Sequence, residues 1–283
     1  MVYCPNMGQF YNAKRSASWN YGGKNWKLSR SKIDLFLECP KCFYIDNKLG
    51  TKRPPSYPLT LNVAVDALLK KEFDIHRAKS SEHPLLKQYK VDAVPFVHKD
   101  INVWRENFRG IEYLHKKTGM LITGAIDDVW IDNKTKELIV VDYKATSKEG
   151  KITALDPENS LHQQYKRQME VYQWLLRRNG FSVSNKGYLV YANGSKDEEA
   201  FDGKLIFEVT LVPCVGDDGW VESAIEKVHA CLEDDRVPKK KPDCDYCSYR
   251  ETVGLSLKEK LQGTPSPEGK KKQPPKEAMP TLF

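Results

Sequence analysis

The chain has 283 residues, 40% of them hydrophobic, which is enough for one large domain or two small ones. Its net charge of +7 and pI near 8.8 favour an acidic partner, nucleic acid being the commonest, although solvated lysines also produce such a surplus. No apolar run approaches the ~18 residues of a membrane span, and the first residues lack the apolar core of a signal peptide. A soluble, cytoplasmic protein with no membrane partner is therefore expected.

Residues 1–27 read as a polar and aromatic N-terminal extension. Tyr3, Phe10, Tyr11, Trp19, Tyr21 and Trp26 suit packing over a core edge or over bases, and Cys4 has no ligand context. The main domain is expected over 28–257. Ser29 or Ser31 can cap a helix whose apolar residues Ile33, Leu35, Phe36 and Leu37 crowd one side. That helix runs into Cys39-Pro40-Lys41-Cys42. After a proline-punctuated loop at 50–58, Leu59–Phe73 reads as a helix with an apolar stripe of Leu61, Val65, Leu68, Leu69 and Phe73. Residues 74–103 are mixed, with a helix or irregular insertion around 83–89.

Strand alternation returns at Ile111 and Tyr113, and continues after a turn at 116–119 through an apolar, β-branched segment, Leu121–Ile131. The turn residues Asp132-Asn133-Lys134-Thr135 lead into Leu138–Val141, giving a three-stranded antiparallel meander that ends at Lys144; Glu112 on its first strand is expected to be structural. Successive strand side chains alternate faces, so Asp142 and Lys144 share one and Tyr143 takes the other, while the antiparallel neighbour can bring Asp127 alongside. Two carboxylates can hold a divalent cation, and a lysine can orient water or offset phosphate charge. The bland alternative for Asp-x-Lys alone is a surface ion pair.

A helix is predicted over Asn159–Arg178, with Gln168 and Tyr172 four apart on one face and Gln164 as an alternative on the same face. Strands at Lys186–Asn193 and Leu205–Pro213 and a helix at Trp220–Asp234 follow. From Lys258 Gly, Pro and Lys dominate, so 258–283 reads as a disordered tail. The seven cysteines are an odd count without an export signal, which argues against a disulfide framework. Four of them, Cys39, Cys42, Cys244 and Cys247, form two Cys-x-x-Cys pairs and read as metal ligands.

The hairpin residues Gly124, Asp127, Asp142, Tyr143, Lys144 and Thr146 resemble the core of the PD-(D/E)XK nucleases, in particular the RecB-like branch that includes the CRISPR-adaptation exonucleases. The run Leu28-Ser29-x-Ser31-Lys32-Ile33-x-x-Phe36-x-x-Cys39-Pro40-x-x-Phe43-Tyr44 is similar to the N-terminal motif of members with an iron–sulfur cluster. Cys244-x-x-Cys247-x-Tyr249-Arg250 is similar to the start of their C-terminal motif. In that group one N-terminal cysteine joins three C-terminal ones. Here 251–261 contains no cysteine, and Cys42 is extra, so the four thiolates present suit either zinc or a 4Fe-4S cluster. Asp66 stands in the place of the branch's metal-binding histidine, where an aspartate can bind Mg²⁺ or Mn²⁺ or simply pair with Lys70; Glu72 is a weaker substitute. Gln168-x-x-x-Tyr172 is similar to the branch's fourth motif, which faces the active centre.

The resemblance implies an α/β fold with a restriction-endonuclease-like core. A central mixed sheet is flanked by helices, with a cysteine metal clamp joining the N- and C-terminal parts. It implies a metal-dependent DNA nuclease, an exonuclease in repair, recombination or defence, acting on single-stranded DNA or DNA with ends. Asp127, Asp142, Asp66 in the histidine's place and the Tyr143 carbonyl are the implied ligands for Mg²⁺ or Mn²⁺. Lys144 is the implied catalytic lysine, with Gln168 and Tyr172 positioning water or the DNA backbone. The alternative is a catalytically silent nucleic-acid-binding module on the same fold. A helicase or recombination partner is also implied, since no helicase motif or P-loop is present. The final Leu282-Phe283 resembles a sliding-clamp-binding peptide without its leading glutamine.

Overall fold

The computed structural model describes residues 12–54 and 59–262, in two units, one ending at Lys241 and the other beginning at Pro242. In the first unit the short strand β1 (Leu28–Ser29) leads into the helices α1 (Arg30–Glu38) and α2 (Pro40–Asn47). Ser29 is the N-cap residue of α1, but its hydroxyl bonds that of Ser31 at 3.0 Å rather than the helix backbone. Ahead of β1, Tyr21 and Trp26 pack edge to face and lie against the core, and the exposed Trp19 meets Phe108 edge to face; Tyr3, Phe10, Tyr11 and Cys4 fall outside the described residues.

The helix α3 (Thr60–Ala78) runs a turn beyond its predicted end. Only part of its expected stripe is used: Leu69 and Phe73 are buried, whereas Leu61 and Leu68 are 57% and 62% exposed. Val65 packs half-buried beside them, and the buried Arg77 shares the inward face. Next come α4 (Pro84–Gln88), the edge strand β2 (Ala93–Pro95) and α5 (Ile101–Trp104). β2 and α5 lie in the stretch that sequence left unassigned, being too short to show a period.

Four strands follow: β3 (Ile111–Leu114), β4 (Leu121–Gly124), β5 (Asp128–Asp132) and β6 (Leu138–Thr146). The single strand expected over 121–131 is broken at 125–127, and the meander divides between two sheets. β4 lies between β1 and β3, whereas β5 joins β2 and β6 in a second sheet. The break has a local cause. Ile126 N–H donates to the Trp104 carbonyl at 2.9 Å, and Arg105 Nε donates to the Asp127 carbonyl at 3.0 Å, so both peptides turn from the ladder to α5.

The helix α6 (Ser160–Arg178) starts at Asn159, whose side chain accepts from the Leu161 and His162 amides at 3.0 and 3.3 Å. β7 (Lys186–Gly194), β8 (Phe207–Val215) and α7 (Gly219–Glu233) complete the unit. The larger sheet has the order β2-β5-β6-β7-β8; only the β6–β7 pair is parallel, the arrangement that a helical crossover such as α6 permits. Alternation along β6 sends Leu138 and Val140 into a core with α6, α7 and α1, and Ile139, Val141 and Tyr143 into a second core with α3 and α4. The result is a mixed sheet with helices on both faces, as the PD-(D/E)XK resemblance implied.

In the second unit α8 (Asp245–Gln262) extends past Lys258 into the segment expected to be a tail; 263–283, with Leu282-Phe283, lie outside the described residues. Among the described residues no helix is long and apolar enough to cross a membrane.

Candidate active site

Asp142 and Lys144 leave β6 on the α6 side, one pleat apart, and form an ion pair there. Asp142 is fully buried, and Gln168 Nε2 of α6 donates to its Oδ1 at 2.7 Å. The same amide nitrogen lies 3.1 Å from the Tyr172 hydroxyl, and its carbonyl oxygen accepts from Lys144 Nζ at 3.4 Å. Gln168 and Tyr172 therefore act as a unit, one helical turn apart, against the strand end. Gln164 does not join them; it bonds Glu38 Oε1 at 2.9 Å, because the helix turns that position toward α1.

Asp127 reaches this point from the break between β4 and β5. Its Oδ2 accepts the Tyr143 amide at 3.0 Å, which ties it to the backbone between Asp142 and Lys144. Its Oδ1 pairs with Lys70 Nζ of α3 at 3.1 Å, and Lys70 also pairs with Asp66 Oδ2 at 2.8 Å. Glu72 bonds His83 Nε2 at 3.0 Å and takes no part. Gly124 is required by close approach: a Cβ there would lie 2.7 Å from Tyr172 Cε1 and 2.9 Å from Leu175 Cδ1.

The two central carboxylates titrate in opposite directions. Burial pushes Asp142 up to about 7, with the charge of Asp127 adding to the rise and Lys144 opposing it. Burial also acts on Asp127, but Lys70, Lys144 and the Tyr143 amide outweigh it and hold the carboxyl below the usual range. Asp66 is raised by burial and by Asp127. Lys144 loses solvation, yet Asp142 and Asp127 more than compensate and keep it charged. Its ammonium also stands over the Tyr165 ring, 4.5 Å from the centroid. Lys70 thus pairs with Asp66 and Asp127, and Lys144 with Asp142.

A family model for the PD-(D/E)XK nuclease superfamily matches residues 27–252, which include every residue of this centre. The chain belongs to the PD-(D/E)XK nuclease superfamily. No curated protein matches it. Members of this superfamily are generally nucleases that hydrolyse phosphodiesters with divalent metal ions. Asp127, Asp142 and the Tyr143 carbonyl offer only oxygen donors, the kind that Mg²⁺ and Mn²⁺ favour, whereas Asp66 is paired with Lys70.

Sequence reasoning missed the layer behind this cluster. Asp128 points to the opposite face from the α6 side and is fully buried, accepting from Tyr143 Oη at 2.7 Å, from Arg105 at 3.0 Å and from Arg77. Asp74 links the two arginines, receiving Arg77 Nε at 2.9 Å and Arg105 Nη1 at 2.8 Å. Arg105 thus grips both the Asp127 carbonyl and the Asp128 carboxylate. Strand alternation alone would have separated the neighbouring aspartates; nothing in the sequence linked Arg105 to them.

Two clefts flank the centre. One, of about 230 Å³, is lined by Leu59, Asn62, Asp66, Lys144 and Tyr165 among others. The other, of about 190 Å³, is more polar and is lined by Ser29, Arg30, Ser31, Asn107, Asp127 and Gln168 among others.

Each cysteine pair opens a helix. Cys39 is the N-cap residue of α2 and Cys42 lies in its first turn; Cys244 immediately precedes α8 and Cys247 lies in its first turn. Three-residue spacing there turns both sulfurs of a pair to one side. All four are buried. Cys214 and Cys231 belong to the first unit's core and its margin, and burial raises both thiols.

Proposed function

We propose that this protein is a Mg²⁺- or Mn²⁺-dependent deoxyribonuclease of the RecB-like branch, acting as an exonuclease on single-stranded DNA or DNA ends. The observation that carries the reading is the convergence of Asp127, Asp142, Lys144 and Gln168 from a strand break, a strand end and a helix. Asp127, Asp142 and the Tyr143 carbonyl would hold the divalent ion, which when bound activates water at neutral pH and offsets phosphate charge, whereas Asp66, the further ligand that the resemblance implied, is taken up by Lys70. Lys144, held charged by the two aspartates, orients the nucleophile or stabilises charge developing on the phosphate. Gln168 fixes the Asp142 carboxylate and keeps Lys144 in line, with Tyr172 as its stop. The polar cleft beside Asp127, with Arg30, Ser29, Ser31 and Asn107, suits the phosphate backbone of the substrate.

Cys39, Cys42, Cys244 and Cys247 are proposed to share zinc or a 4Fe-4S cluster that clamps the N- and C-terminal parts together. The paired spacing and the matching helix-start position of each pair support this. Work beside a helicase or recombination partner in repair, recombination or defence follows from the RecB-like resemblance. A sliding-clamp contact through Leu282-Phe283 is tested by deleting 279–283 and repeating a clamp pull-down.

The deciding experiment is degradation of end-labelled single- and double-stranded DNA with Mg²⁺, Mn²⁺ or EDTA, by wild type and Lys144→Ala. Metal-dependent cleavage absent from the variant is expected, and the product ladder gives polarity. Salt-dependent binding without cleavage, indifferent to Mn²⁺, would instead make the protein a silent nucleic-acid-binding module.

A further inference from the structure

Asp66 and Asp127 are 61 residues apart in sequence and belong to different elements, yet one side chain serves both. Lys70 Nζ lies 2.8 Å from Asp66 Oδ2 and 3.1 Å from Asp127 Oδ1. An i,i+4 pair with Asp66 would need no third partner. Here the lysine is largely buried, 20% exposed, and its ammonium bridges a helix to the strand break. This is the place a cation shared by those two carboxylates would take. A divalent ion bound to both oxygens would come within a few ångströms of the ammonium and be repelled by it, and the tether to α3 keeps the ammonium always at hand.

We infer that Lys70 is a built-in second cation of the centre, so that the nuclease takes one divalent ion, on the Asp127–Asp142 side, and excludes a second from the Asp66–Asp127 side. The inference rests on the nuclease reading above. The geometry separates the roles of the two lysines. Lys144 pairs with Asp142 and faces Gln168 and Tyr165, whereas Lys70 pairs with Asp66 and Asp127. Asp127 stands between them and belongs to both pairs of carboxylates. Lys70 is a positioning residue: it fixes the Asp127 carboxylate from one side while the Tyr143 amide fixes it from the other.

Counting bound Mn²⁺ by electron paramagnetic resonance tests this on the full chain, since Mn²⁺ is a hard ion that thiolates bind poorly. Wild type is expected to bind one Mn²⁺. Lys70→Met is expected to bind two, with the second site at least tenfold tighter than any second site in wild type; Lys70→Gln, a polar replacement, guards against a folding defect and should behave alike. Adding Asp66→Asn to Lys70→Met should return the count to one. Two ions on wild type, or one on both Lys70 variants, would overturn the inference and leave the nuclease reading intact. No Mn²⁺ on wild type would overturn both.

Discussion

Adjacent aspartates at the strand break should respond to the same substitution in opposite ways. Asp128 is fully buried and accepts from Tyr143 Oη, Arg105, Arg77 and the Val129 amide. Asp128→Asn keeps the shape but removes the only buried negative charge between two largely buried guanidiniums, with Asp74 left to offset both. Breaking a buried pair from one side costs about 3–5 kcal/mol. Asparagine retains an acceptor, which places the loss near the lower end. For a unit of some 240 residues, each kcal/mol moves the melting temperature by about 2–4 °C, so about 3 kcal/mol lowers it by about 6–12 °C. Asp127→Asn keeps an acceptor for the Tyr143 amide and relieves the repulsion with Asp142, so its melting temperature should stay within about 3 °C of wild type. Its cost falls on the ion: Mn²⁺ binding followed by calorimetry should weaken at least about tenfold. Thermal unfolding by circular dichroism with Mn²⁺ titration of both variants checks the pair. An Asp128→Asn melt within about 2 °C of wild type, or an Asp127→Asn melt as low as that expected for Asp128→Asn, would refute the division into an outer charge and an inner brace.

Mn²⁺ binding should also depend on pH with a defined sign. Burial raises Asp142 to about 7, so below that pH the ion must displace a proton, and affinity should fall about tenfold per pH unit. Calorimetry in two buffers should find about one proton released near pH 6 and almost none near pH 8. Without metal, a carboxyl raised from 3.8 to about 7 favours the folded state fully below 3.8, and that contribution fades as pH rises to about 7. Melting of the metal-free protein should therefore decline over that range. Lys144→Ala should cut cleavage at least about a hundredfold while the protein stays folded, read from single-turnover rates. Gly124→Ala would push a methyl against Tyr172 and Leu175, costing about 1–3 kcal/mol and loosening the stop behind Gln168; melting and single-turnover rates should both fall. Cys39→Ser or Cys244→Ser should lower the iron or zinc content of anaerobically purified protein, measured by mass spectrometry of the metal and visible absorption.

Features that depend on short chain periods were legible in the sequence. Alternation along β6 put Asp142 and Lys144 on one face and Tyr143 on the other, and a four-residue step put Gln168 beside Tyr172; the order of these motifs pointed to the fold before any contact was known. Contacts set by packing were not. Gln164 and Gln168 both fitted a helix face, and only the rotation of α6 against the sheet gives Gln168 to Asp142 and Gln164 to Glu38. The run 121–131 looked like one strand because its composition is strand-like throughout; it breaks because Trp104 at the end of a four-residue helix and the following C-cap residue Arg105 claim the hydrogen bonds of Ile126 and Asp127. The same break aims Asp127 at the site and Asp128 into its buttress. Lys70 is a one-turn neighbour of Asp66 by sequence, but its hold on Asp127 exists only because α3 crosses the end of that strand. Side-chain direction follows from local geometry, whereas the partner a side chain meets is decided by which elements the two cores press together.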